Sequence, residues 1–587
     1  MADPVLLPSP SDTPPAVHPL GTRARVLLAS VFGPYARDDE HGSRAINPME
    51  LYHNQVTRVQ GVFSLRMFHR SWGLMLIQAN IDAPCALLDF PTLDRFVEEI
   101  RSVRYDVVGI SAILPNIGKV AKMCALVREH LPGATIVVGG HVANHPRIRE
   151  RIDADHVVRG EGVRWFRGFL GQDTEAPIRH PLIASAVGAR TMGVRLSLRP
   201  QDTAATLIPS VGCPMGCDFC ATSALFGGKG RSVDFYRSGD ELFEVMCGLE
   251  REMGVHSFFV MDENFLLQRP RAMQLLERMR AHDKAWALYV FSSANALSRY
   301  TMEELVALGI SWVWLGLEGK QSHYAKLKGT DTLALVRRLQ SNGIRVLGSS
   351  IIGLSEHGPD NVDEAIAHAV AHDTEFHQFM LYTPVPGTPL YGQHREQGTL
   401  LDEEDCPEAD AHGQLRFNYH HPRIPRGQET EMLLRAFRRD FEANGPSVLR
   451  VARTLLRGWE RHKDHPEPRV RERLRRECRD LATGYAGGVW AARRWLAGRP
   501  ALAARLRRLE RGLAREFGWK ARLFGALLGP VVLAAMWRER WRTRRGVPRE
   551  PPTFYEANRP GSFEGGRGRR PAAARWLPPA GAAVPRS

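Results

Sequence analysis

The segment Cys213-Pro-Met-Gly-Cys217-Asp-Phe-Cys220 places three thiols within eight residues, directly after the strand-like run Thr206–Val211. Three thiolates on one loop can bind one face of an iron–sulfur cube. No fourth cysteine lies nearby in the sequence, so one iron of a four-iron cluster would keep an open position. A structural zinc site is the alternative, but zinc in such sites usually takes four protein ligands, and the fourth would come from a distant residue.

Apolar runs alternate with helix-like stretches on both sides of this loop and predict two α/β domains. In residues 25–171 the runs predict a doubly wound, Rossmann-like parallel sheet, with strands at Val26–Val31, Cys85–Phe90, Asp106–Ile113, Thr135–Gly139 and His156–Val158. In residues 205–391 they predict a partial (β/α)6 barrel, with strands at Thr206–Val211, Ser257–Met261, Ala287–Phe291, Trp312–Leu317, Arg345–Ile352 and Phe379–Thr383. In both folds, ligands bind at the carboxyl ends of the strands.

The flanking segments are predicted from their composition and charge. Residues 1–24 are expected to form a disordered leader, 172–204 a linker, 392–545 a basic helical region and 546–587 a disordered tail rich in Pro, Gly and Arg. From Val451 onward there are 32 Lys and Arg against 12 Asp and Glu, whereas the preceding residues carry 47 against 52. A basic region of this kind indicates an anionic partner, either a membrane surface or nucleic acid.

One apolar run, Leu523–Trp537, lies inside the basic region and is interrupted by Pro530. It is shorter than the about 20 residues that a spanning helix needs, but the Trp and Arg residues around it suit the headgroup boundary of a membrane. We therefore expect a cytoplasmic protein with peripheral contact at the inner face of the membrane, and a soluble helical cap is an equal alternative. Nucleic acid is not expected, because no recognised RNA-binding module precedes the region. The scattered cysteines form no disulfide framework, which fits a reducing cytosol.

The Cys-x3-Cys-x2-Cys loop resembles that of the radical S-adenosylmethionine (SAM) superfamily, in which the residue before the last cysteine is usually aromatic, as Phe219 is here. The resemblance implies that Cys213, Cys217 and Cys220 hold a 4Fe–4S cluster and that S-adenosyl-L-methionine chelates the open iron. Reductive cleavage would then give methionine and a 5′-deoxyadenosyl radical that removes hydrogen from a substrate. An electron donor of the flavodoxin or ferredoxin type would reduce the cluster.

Further fragments at later strand ends resemble the cofactor-binding motifs of this superfamily. Met261-Asp262-Glu263-Asn264 resembles the segment that holds the amino group of SAM, and Glu318 matches a polar position near its ribose or methionyl part. Ser349-x-Ile351-x-Gly353-x-x-Glu356 resembles the motif that supports the adenine, with a serine at its first glycine. The resemblance implies SAM contacts at Phe219, Asp262, Glu263, Glu318, Ser349, Gly353, Glu356 and, in the loop that closes over the adenine, Thr383.

A doubly wound domain directly before such a barrel resembles the cobalamin-binding subclass of the superfamily, and this resemblance covers residues 25–391. It implies cobalamin contacts at small strand-end residues and an adjacent acidic turn, namely Ser111, Gly139, Gly140, Gly160, Glu161 and Gly162. The Asp-x-His-x-x-Gly motif, whose histidine binds cobalt in many cobalamin proteins, is absent. Many radical members of the subclass also lack it, so we expect no histidine nitrogen on cobalt. A domain that binds no cofactor, or only substrate, is the alternative.

The function implied by the resemblance is that of a methyltransferase or a related radical enzyme. It would perform cobalamin-dependent C-methylation, or radical C–C bond formation or cyclisation, on a small molecule that is hydrophobic or lipid-like. One SAM would recharge cobalt with a methyl group, and a second would supply the radical. The alternative from another class is a non-catalytic, membrane-associated iron–sulfur protein that senses redox state or iron.

Overall fold

A computed structural model of the protein describes residues 16–35, 40–45, 55–196, 202–319, 327, 330–547, 549–563 and 570–580. Most of the predicted leader, residues 1–15, lies outside the described residues, as do residues 564–569 and 581–587 of the predicted tail. Residues 16–24 of the predicted leader are ordered, which corrects that prediction. The backbone N–H of His18 donates to the carbonyl of Phe169, and a short turn follows at Gly21–Arg23.

The N-terminal domain has buried parallel strands with helices on both faces. Its elements are β1 Val26–Ser30, β2 Arg66–Phe68, α1 Trp72–Asn80, β3 Cys85–Asp89, α2 Leu93–Ser102, β4 Val107–Ser111, α3 Ile117–His130, β5 Thr135–Gly139, α4 Ile148–Arg151, β6 His156–Val157 and α5 Gly162–Phe169. The parallel order β3-β1-β4-β5-β6 confirms the predicted doubly wound sheet. Strand order reverses at β1, so a ligand is expected in the crevice between the carboxyl ends of β1 and β4.

Two strands occupy the stretch that the sequence predicted as a linker, and this corrects that prediction. β7 Val187–Thr191 and β8 Val194–Arg195 form an antiparallel hairpin, and β7 also pairs with β2. These strands are short and partly exposed, and their partner β2 is distant in sequence. They therefore lack the long apolar run by which a buried strand is detected.

The second domain is an open, all-parallel barrel whose six main strands follow the order β9-β12-β13-β14-β15-β16, which confirms the predicted partial (β/α)6 barrel. Its elements are β9 Ala205–Leu207, β10 Ser210–Val211, α6 Ala221–Leu225, β11 Val233–Asp234, α7 Gly239–Met253, β12 Ser257–Val260, α8 Arg269–Ala281, β13 Ala287–Ser292, α9 Ala294–Leu297, α10 Met302–Leu308, β14 Ile310–Glu318, α11 Thr332–Ser341, β15 Arg345–Ile352, α12 Val362–Ala371, β16 Phe376–Leu381 and α13 Pro389–Glu396.

The C-terminal region is helical from Glu429 onward, whereas residues 397–428, which were also predicted to belong to the helical region, form loops with one short 3-10 turn at Glu408–Asp410. Its helices are α14 Glu429–Asn444, α15 Ser447–His462, α16 Pro468–Cys478, α17 Ala486–Trp495 and α18 Pro500–Arg544. Gly518 has a φ of 60° and divides α18 into two segments. Among the described residues, α18 is the one helix that is long and apolar enough, by length and composition, to cross a membrane, and 22% of its most apolar window is buried.

The predicted disorder of the C-terminal tail is wrong for residues 549–563 and 570–580. β17 Phe554–Ala557 pairs antiparallel with β3 at the edge of the N-terminal sheet, and β18 Ala572–Ala573 pairs with β17. Ala557 and Phe563 are buried in the core of the N-terminal domain. The Pro and Gly content indicated disorder because local composition does not reveal a partner strand near the other end of the chain.

Candidate functional site

The cysteine loop begins two residues after β10 and ends at the first turn of α6. Cys220 caps α6, and its Sγ accepts a hydrogen bond from the backbone N–H of Ser223 at 3.5 Å. The Ser223 hydroxyl donates to the carbonyl of Cys213 at 3.3 Å, so it links both ends of the loop. Gly216 has a φ of 68°, and a Cβ there would lie 2.5 Å from Cβ of Lys229. The course of the loop therefore requires glycine at this position.

The three thiols of the loop are half-buried and not in disulfides. Burial raises the pKa of Cys213 to about 12 and also raises the pKa of Cys220, with neighbouring thiols and Glu263 adding to both effects. A bound metal centre deprotonates such thiols. Across the described ranges no group of three His, Cys, Asp or Glu converges on a single metal ion. In an iron–sulfur cube each thiolate binds a different iron, so this spaced set of three sulfur donors fits a 4Fe–4S cluster.

An apolar cluster beside the cysteine loop joins the ends of β15 and β16. Its members are Phe219, Ile351, Leu354, Tyr382 and Leu390. The rings of Phe219 and Tyr382 meet edge to face with centroids 6.4 Å apart. The backbone N–H of Leu390 donates to the carbonyl of Asp218 at 3.1 Å, which holds α13 against the loop. The structure thus brings Phe219 together with the two segments that the sequence assigned to the adenine.

Two of the predicted residues in these segments determine the local course of the backbone. Gly353 has a φ of 79°, and a Cβ there would lie 2.4 Å from the ring of Phe417. Thr383 is buried, and its hydroxyl donates to the carbonyl of Leu381 at 2.9 Å. Both residues shape the strand ends around the apolar cluster.

Two other predicted residues lie away from the apolar cluster. Ser349 lies deeper in β15, where its hydroxyl donates to the side chain of Gln378 at 3.0 Å. Glu356 is exposed in the loop after β15. A contact of either side chain with SAM remains a prediction.

Polar side chains occupy the ends of β12 and β13. The side-chain oxygen of Asn264 accepts the backbone N–H of Ser293 at 3.0 Å. Asp262 forms a buried ion pair with Arg271 at 2.5 Å. Asp262 was predicted to contact SAM, but its carboxylate already has a strong partner within the protein. Desolvation by the surrounding protein raises the pKa of Glu263 to about 7, and the charge of Asp262 adds to the rise, although part of the side chain remains accessible to solvent. Of the two neighbouring carboxylates, Asp262 and Glu263, Glu263 is therefore the one that is available to a ligand.

Glu318 ends β14 in a strained backbone conformation. It is buried, and its φ of 48° lies in the left-handed region that side chains disfavour. The pairing of β14 with β15 shifts at the same point. Such strain at the carboxyl end of a barrel strand is typical of functional positions.

The predicted cobalamin residues begin at the ends of β4 and β5. Gly140 has a φ of 81°, and a Cβ there would lie 2.7 Å from the carbonyl oxygen of Ala112 and 2.8 Å from Oγ of Ser111. Asn116 follows β4, is buried, and has a side-chain nitrogen without a hydrogen-bond partner in the described part of the chain. The contact at Gly140 fixes the close packing of these two strand ends, and the unsatisfied donor of Asn116, which follows one of them, fits a bound polar cofactor.

The other predicted cobalamin residues have packing roles of their own. Gly139 is the last residue of β5, and the Gly160-Glu161-Gly162 turn leads into α5. The carboxylate of Glu161 accepts two backbone N–H groups at the start of α5. A Cβ at Gly162 would lie 2.8 Å from the side chain of Ile77. These contacts account for the turn without a ligand, so its part in cobalamin binding remains a prediction.

The strand ends of the N-terminal domain contact the helix that follows the cysteine loop. A ring nitrogen of His141 lies 3.2 Å from Oγ1 of Thr222, and the side chain of Asn144 donates to the carbonyl of Ala221 at 3.0 Å. The cobalamin-type strand ends and the cysteine loop therefore border one interface. Sequence reasoning missed Asn144 and Thr222, because contacts between domains leave no local periodic signal.

Aromatic side chains line the barrel lumen below the strand ends. Residues of a barrel strand alternate between the helix layer and the lumen. Phe258 and Val290 pack under the helices, so their neighbours Phe259 and Phe291 face the lumen. The rings of Phe259 and Phe291 lie 5.8 Å apart, and Phe291 stacks on Trp314 at 5.0 Å. These lumen rings are only partly buried, so the lumen has an open apolar wall.

His69, which follows β2, also reaches this aromatic wall. Its ring stacks on Phe259 with centroids 5.2 Å apart. Burial lowers the pKa of His69 to about 4, so the imidazole is neutral at physiological pH. This placement could not be predicted from the sequence, because His69 lies in the N-terminal domain and belongs to no motif.

Two family models match this chain. The B12 binding domain matches residues 63–170, and the Radical SAM superfamily matches residues 207–369. An uncharacterized methyltransferase of Pyrococcus horikoshii, PH0819, is 26% identical over 339 residues, which are 51% of this chain and 72% of the relative. The bacteriochlorophyllide d C-8(2)-methyltransferase of Chlorobaculum tepidum is 24% identical over 323 residues, 51% of this chain and 70% of the relative. The structure of the radical SAM methyltransferase TsrM from Kitasatospora setae, with tryptophan and a SAM analogue bound, aligns with a TM-score of 0.45 and 17% identity, over 70% of this chain and 88% of that chain.

The two matched ranges fall on the two α/β domains. The first range contains the predicted cobalamin residues, and the second contains the cysteine loop. Cobalamin, a 4Fe–4S cluster and SAM are the cofactors of these two kinds of domain, and the donor groups described above fit them. The chain is therefore a radical SAM enzyme with a B12 binding domain, and it belongs to the cobalamin-binding subclass of the radical SAM superfamily.

Proposed function

We propose that this enzyme is a cobalamin-dependent methyltransferase that methylates an unactivated carbon of a hydrophobic, lipid-like substrate. When bound, SAM at the cluster and cobalamin supply the radical that removes a hydrogen atom and the methyl group that replaces it. The observation that carries the proposal is the half-buried, disulfide-free cysteine loop against the strand ends of the B12 binding domain. Radical cyclisation or another C–C bond formation is the related reaction that the same arrangement supports.

Each group of residues has a separate role in this proposal. The three loop cysteines would each hold one iron. The apolar cluster around Phe219 and Tyr382 would pack against the adenine, and the Glu263 carboxylate would accept hydrogen bonds from the amino group of SAM. The strand ends that pack closely at Gly140 and the free donor of Asn116 would hold polar parts of cobalamin.

The aromatic wall of the lumen supports a hydrophobic substrate. Phe259, Phe291 and Trp314 offer ring faces with few polar atoms, and they would exclude water from a carbon radical. The neutral imidazole of His69 adds one polar group to this wall. It can accept a hydrogen bond from a polar end of the substrate or donate one to it.

The partners and location are part of the same proposal. The substrate is a small or lipid-like molecule, and the electron donor is of the flavodoxin or ferredoxin type. The enzyme is cytoplasmic and contacts the inner face of the membrane peripherally through its C-terminal region. The exposed tryptophans and the arginines of α18 support this membrane contact.

The test is cleavage of SAM by the full-length protein after anaerobic reconstitution with iron, sulfide and cobalamin. With a strong reductant and a membrane lipid extract we expect 5′-deoxyadenosine, and transfer of a trideuterated methyl group from SAM into the apolar extract. Alanine at Cys213, Cys217 or Cys220 should abolish both iron content and cleavage. Cys247→Ala is the matched control, because Cys247 is also half-buried but lies outside the loop, and it should retain both. A protein that holds the cluster but forms no 5′-deoxyadenosine would favour the redox or iron sensor instead.

A further inference from the structure

The segment of α18 beyond Gly518 is apolar on two opposite sides. Its inward side packs on α17 through small residues, and a Cβ at Gly529 would lie 2.4 Å from the indole of Trp490. Its outward side carries six large apolar side chains that are 42% to 67% exposed: Trp519, Leu523, Leu527, Val531, Trp537 and Trp541. We call these six residues the Trp-bordered face.

The Trp-bordered face is continuous along the helix. At about 100° per residue the six side chains fall within an arc of roughly 120°, and Trp519 and Trp537 are about five turns apart on the same line. The buried residues Gly525 and Met536 lie on the opposite side. A helix that is apolar on both sides is typical of a protein core or a membrane, and a large exposed apolar stripe marks an interaction surface.

The β7–β8 hairpin extends this face. A Cβ at Gly193 would lie 2.3 Å from the carbonyl oxygen of Ala535, so the turn rests directly on α18. Val194 and Leu196, which follow the turn, are both exposed. Two elements that are distant in sequence thus present apolar side chains at one place.

The charge around the Trp-bordered face has one sign. Residues 518–545 contain seven Lys and Arg and a single acidic residue, Glu539. Glu539 is paired with Arg542 at 2.7 Å and with Arg549 at 2.9 Å. The guanidinium of Arg545 lies 4.0 Å from the ring centroid of Trp541. Tryptophan beside arginine, with the one carboxylate already paired, is complementary to anionic lipid headgroups.

We propose that the Trp-bordered face, together with Val194 and Leu196, is a membrane-binding surface, and that this segment of α18 lies flat in the headgroup region of an anionic bilayer. The helix does not span the bilayer, because its inward side is held on α17 by close contacts at Gly529 and Met536 is fully buried. This surface specifies how the proposed membrane contact is made. It rests on the proposed function in one respect only, namely that it would give the enzyme access to a lipid-like substrate.

The experiment is flotation of the full-length protein with vesicles of phosphatidylcholine, with and without phosphatidylglycerol, at low and high salt. We expect binding to the anionic vesicles at low salt, a blue shift of tryptophan fluorescence, and weaker binding at high salt. The apolar variant Leu523→Ser/Leu527→Ser/Val531→Ser should bind at least about tenfold more weakly. The charge variant Arg522→Gln/Arg538→Gln/Arg544→Gln should lose at least about tenfold at low salt. Its matched control, Arg507→Gln/Arg508→Gln/Arg511→Gln, removes three exposed charges from the first segment of α18 and should bind like the natural protein.

Four results would overturn the proposal. The first two are a failure of the natural protein to bind anionic vesicles at low salt and full binding by the apolar variant. The third is an equal loss of binding in the two arginine variants. The fourth is vesicle-bound protein that alkaline carbonate does not extract, which would mean a spanning helix. Full binding by the apolar variant together with a changed oligomeric state in light scattering would identify the face as an interface between two copies. Formation of 5′-deoxyadenosine in detergent-free buffer is measured in parallel for the natural protein and each variant. Its absence from the natural protein would contradict the proposed function and not this surface, whereas its retention by a variant shows that weaker vesicle binding does not come from misfolding.

Discussion

At the scale of single residues, hydrogen-bond partners separate structural side chains from those available to a ligand. Asp262 and Glu161 both stand at strand ends where the sequence places a cofactor contact. Asp262 is paired with Arg271, and Glu161 caps α5, so both have internal partners. Asn116, in contrast, keeps a buried nitrogen without a partner among the residues described. Because an unsatisfied buried donor costs free energy, this residue is the stronger indication of a bound group.

Gly140→Ala should weaken cobalamin binding. The new methyl group would overlap the carbonyl of Ala112, and a φ of 81° costs a non-glycine residue about 1 to 3 kcal/mol. The measurement is the cobalamin absorbance that stays with the protein after gel filtration. Gly133→Ala is the control, since Gly133 lies in the same domain with open space around its Cα. Unchanged uptake by Gly140→Ala would place cobalamin away from these strand ends.

The cysteine loop could be predicted from sequence because its chemistry is local. All three donors and their spacing lie within eight residues, and a strand signal precedes them. His69 and Asn144 could not be predicted, since each acquires its position through contact with the other domain. A residue of this kind is revealed only once the two domains are in place.

At the scale of elements, strands buried on both faces were predicted well and partly polar strands were not. Every residue of β1 is buried, so the strand reads as one apolar run. β16 begins earlier than predicted, because His377 interrupts the run while remaining buried. Its ring bonds to hydroxyl groups of Ser350 and Thr374, each at 3.0 Å. Internal hydrogen bonds of this kind let a polar residue sit in a core strand.

Glu250→Gln should destabilise the barrel at neutral pH. Desolvation raises the pKa of Glu250, but hydrogen bonds from His256, Lys284 and Trp286 outweigh it and hold the value at about 2, against an ordinary 4.5. The stabilisation is therefore complete above pH 4.5 and is lost as the pH falls toward 2. Because Glu250 is partly exposed, we expect a loss of about 2 kcal/mol at pH 7 rather than the full effect of the pKa shift.

The measurement is urea unfolding of the cofactor-free protein, followed by circular dichroism at pH 7 and pH 3.5. The difference in the free energy of unfolding between Glu250→Gln and the natural protein should be smaller at the lower pH. Glu252→Gln is the control on the same helix, because Glu252 is more exposed and pairs with Arg575 near the surface. A difference that stays constant between the two pH values would contradict the assigned ion pairs.

At the scale of the whole molecule, the C-terminal tail closes the chain onto the N-terminal sheet. β17 adds to the edge of β3, and the guanidinium of Arg70 bonds to both Asp89 in β3 and Glu556 in β17. The backbone N–H of Cys85 donates to the side chain of Asn558 at 2.8 Å. The helical region between the barrel and the tail is therefore anchored at both ends, which fixes α18 relative to the two cofactor domains.

A chain that ends at Val547 should lose protection at the sheet edge while keeping the cluster. Removal of β17 exposes the backbone of β3, breaks the ion pair of Arg70 with Glu556, and uncovers the site of the buried Phe563. Burial of one such ring stabilises by about 1.5 to 3 kcal/mol, so the amides of β3 should exchange with solvent deuterium at least about tenfold faster. Iron content should stay unchanged, because no residue of the tail touches the cysteine loop among the contacts described. A chain lacking only residues 581–587 is the control and should exchange like the full protein. If β3 exchanged equally slowly in the chain ending at Val547, the edge of the N-terminal sheet would be stable without the tail, and the closure of the chain would contribute nothing to that domain.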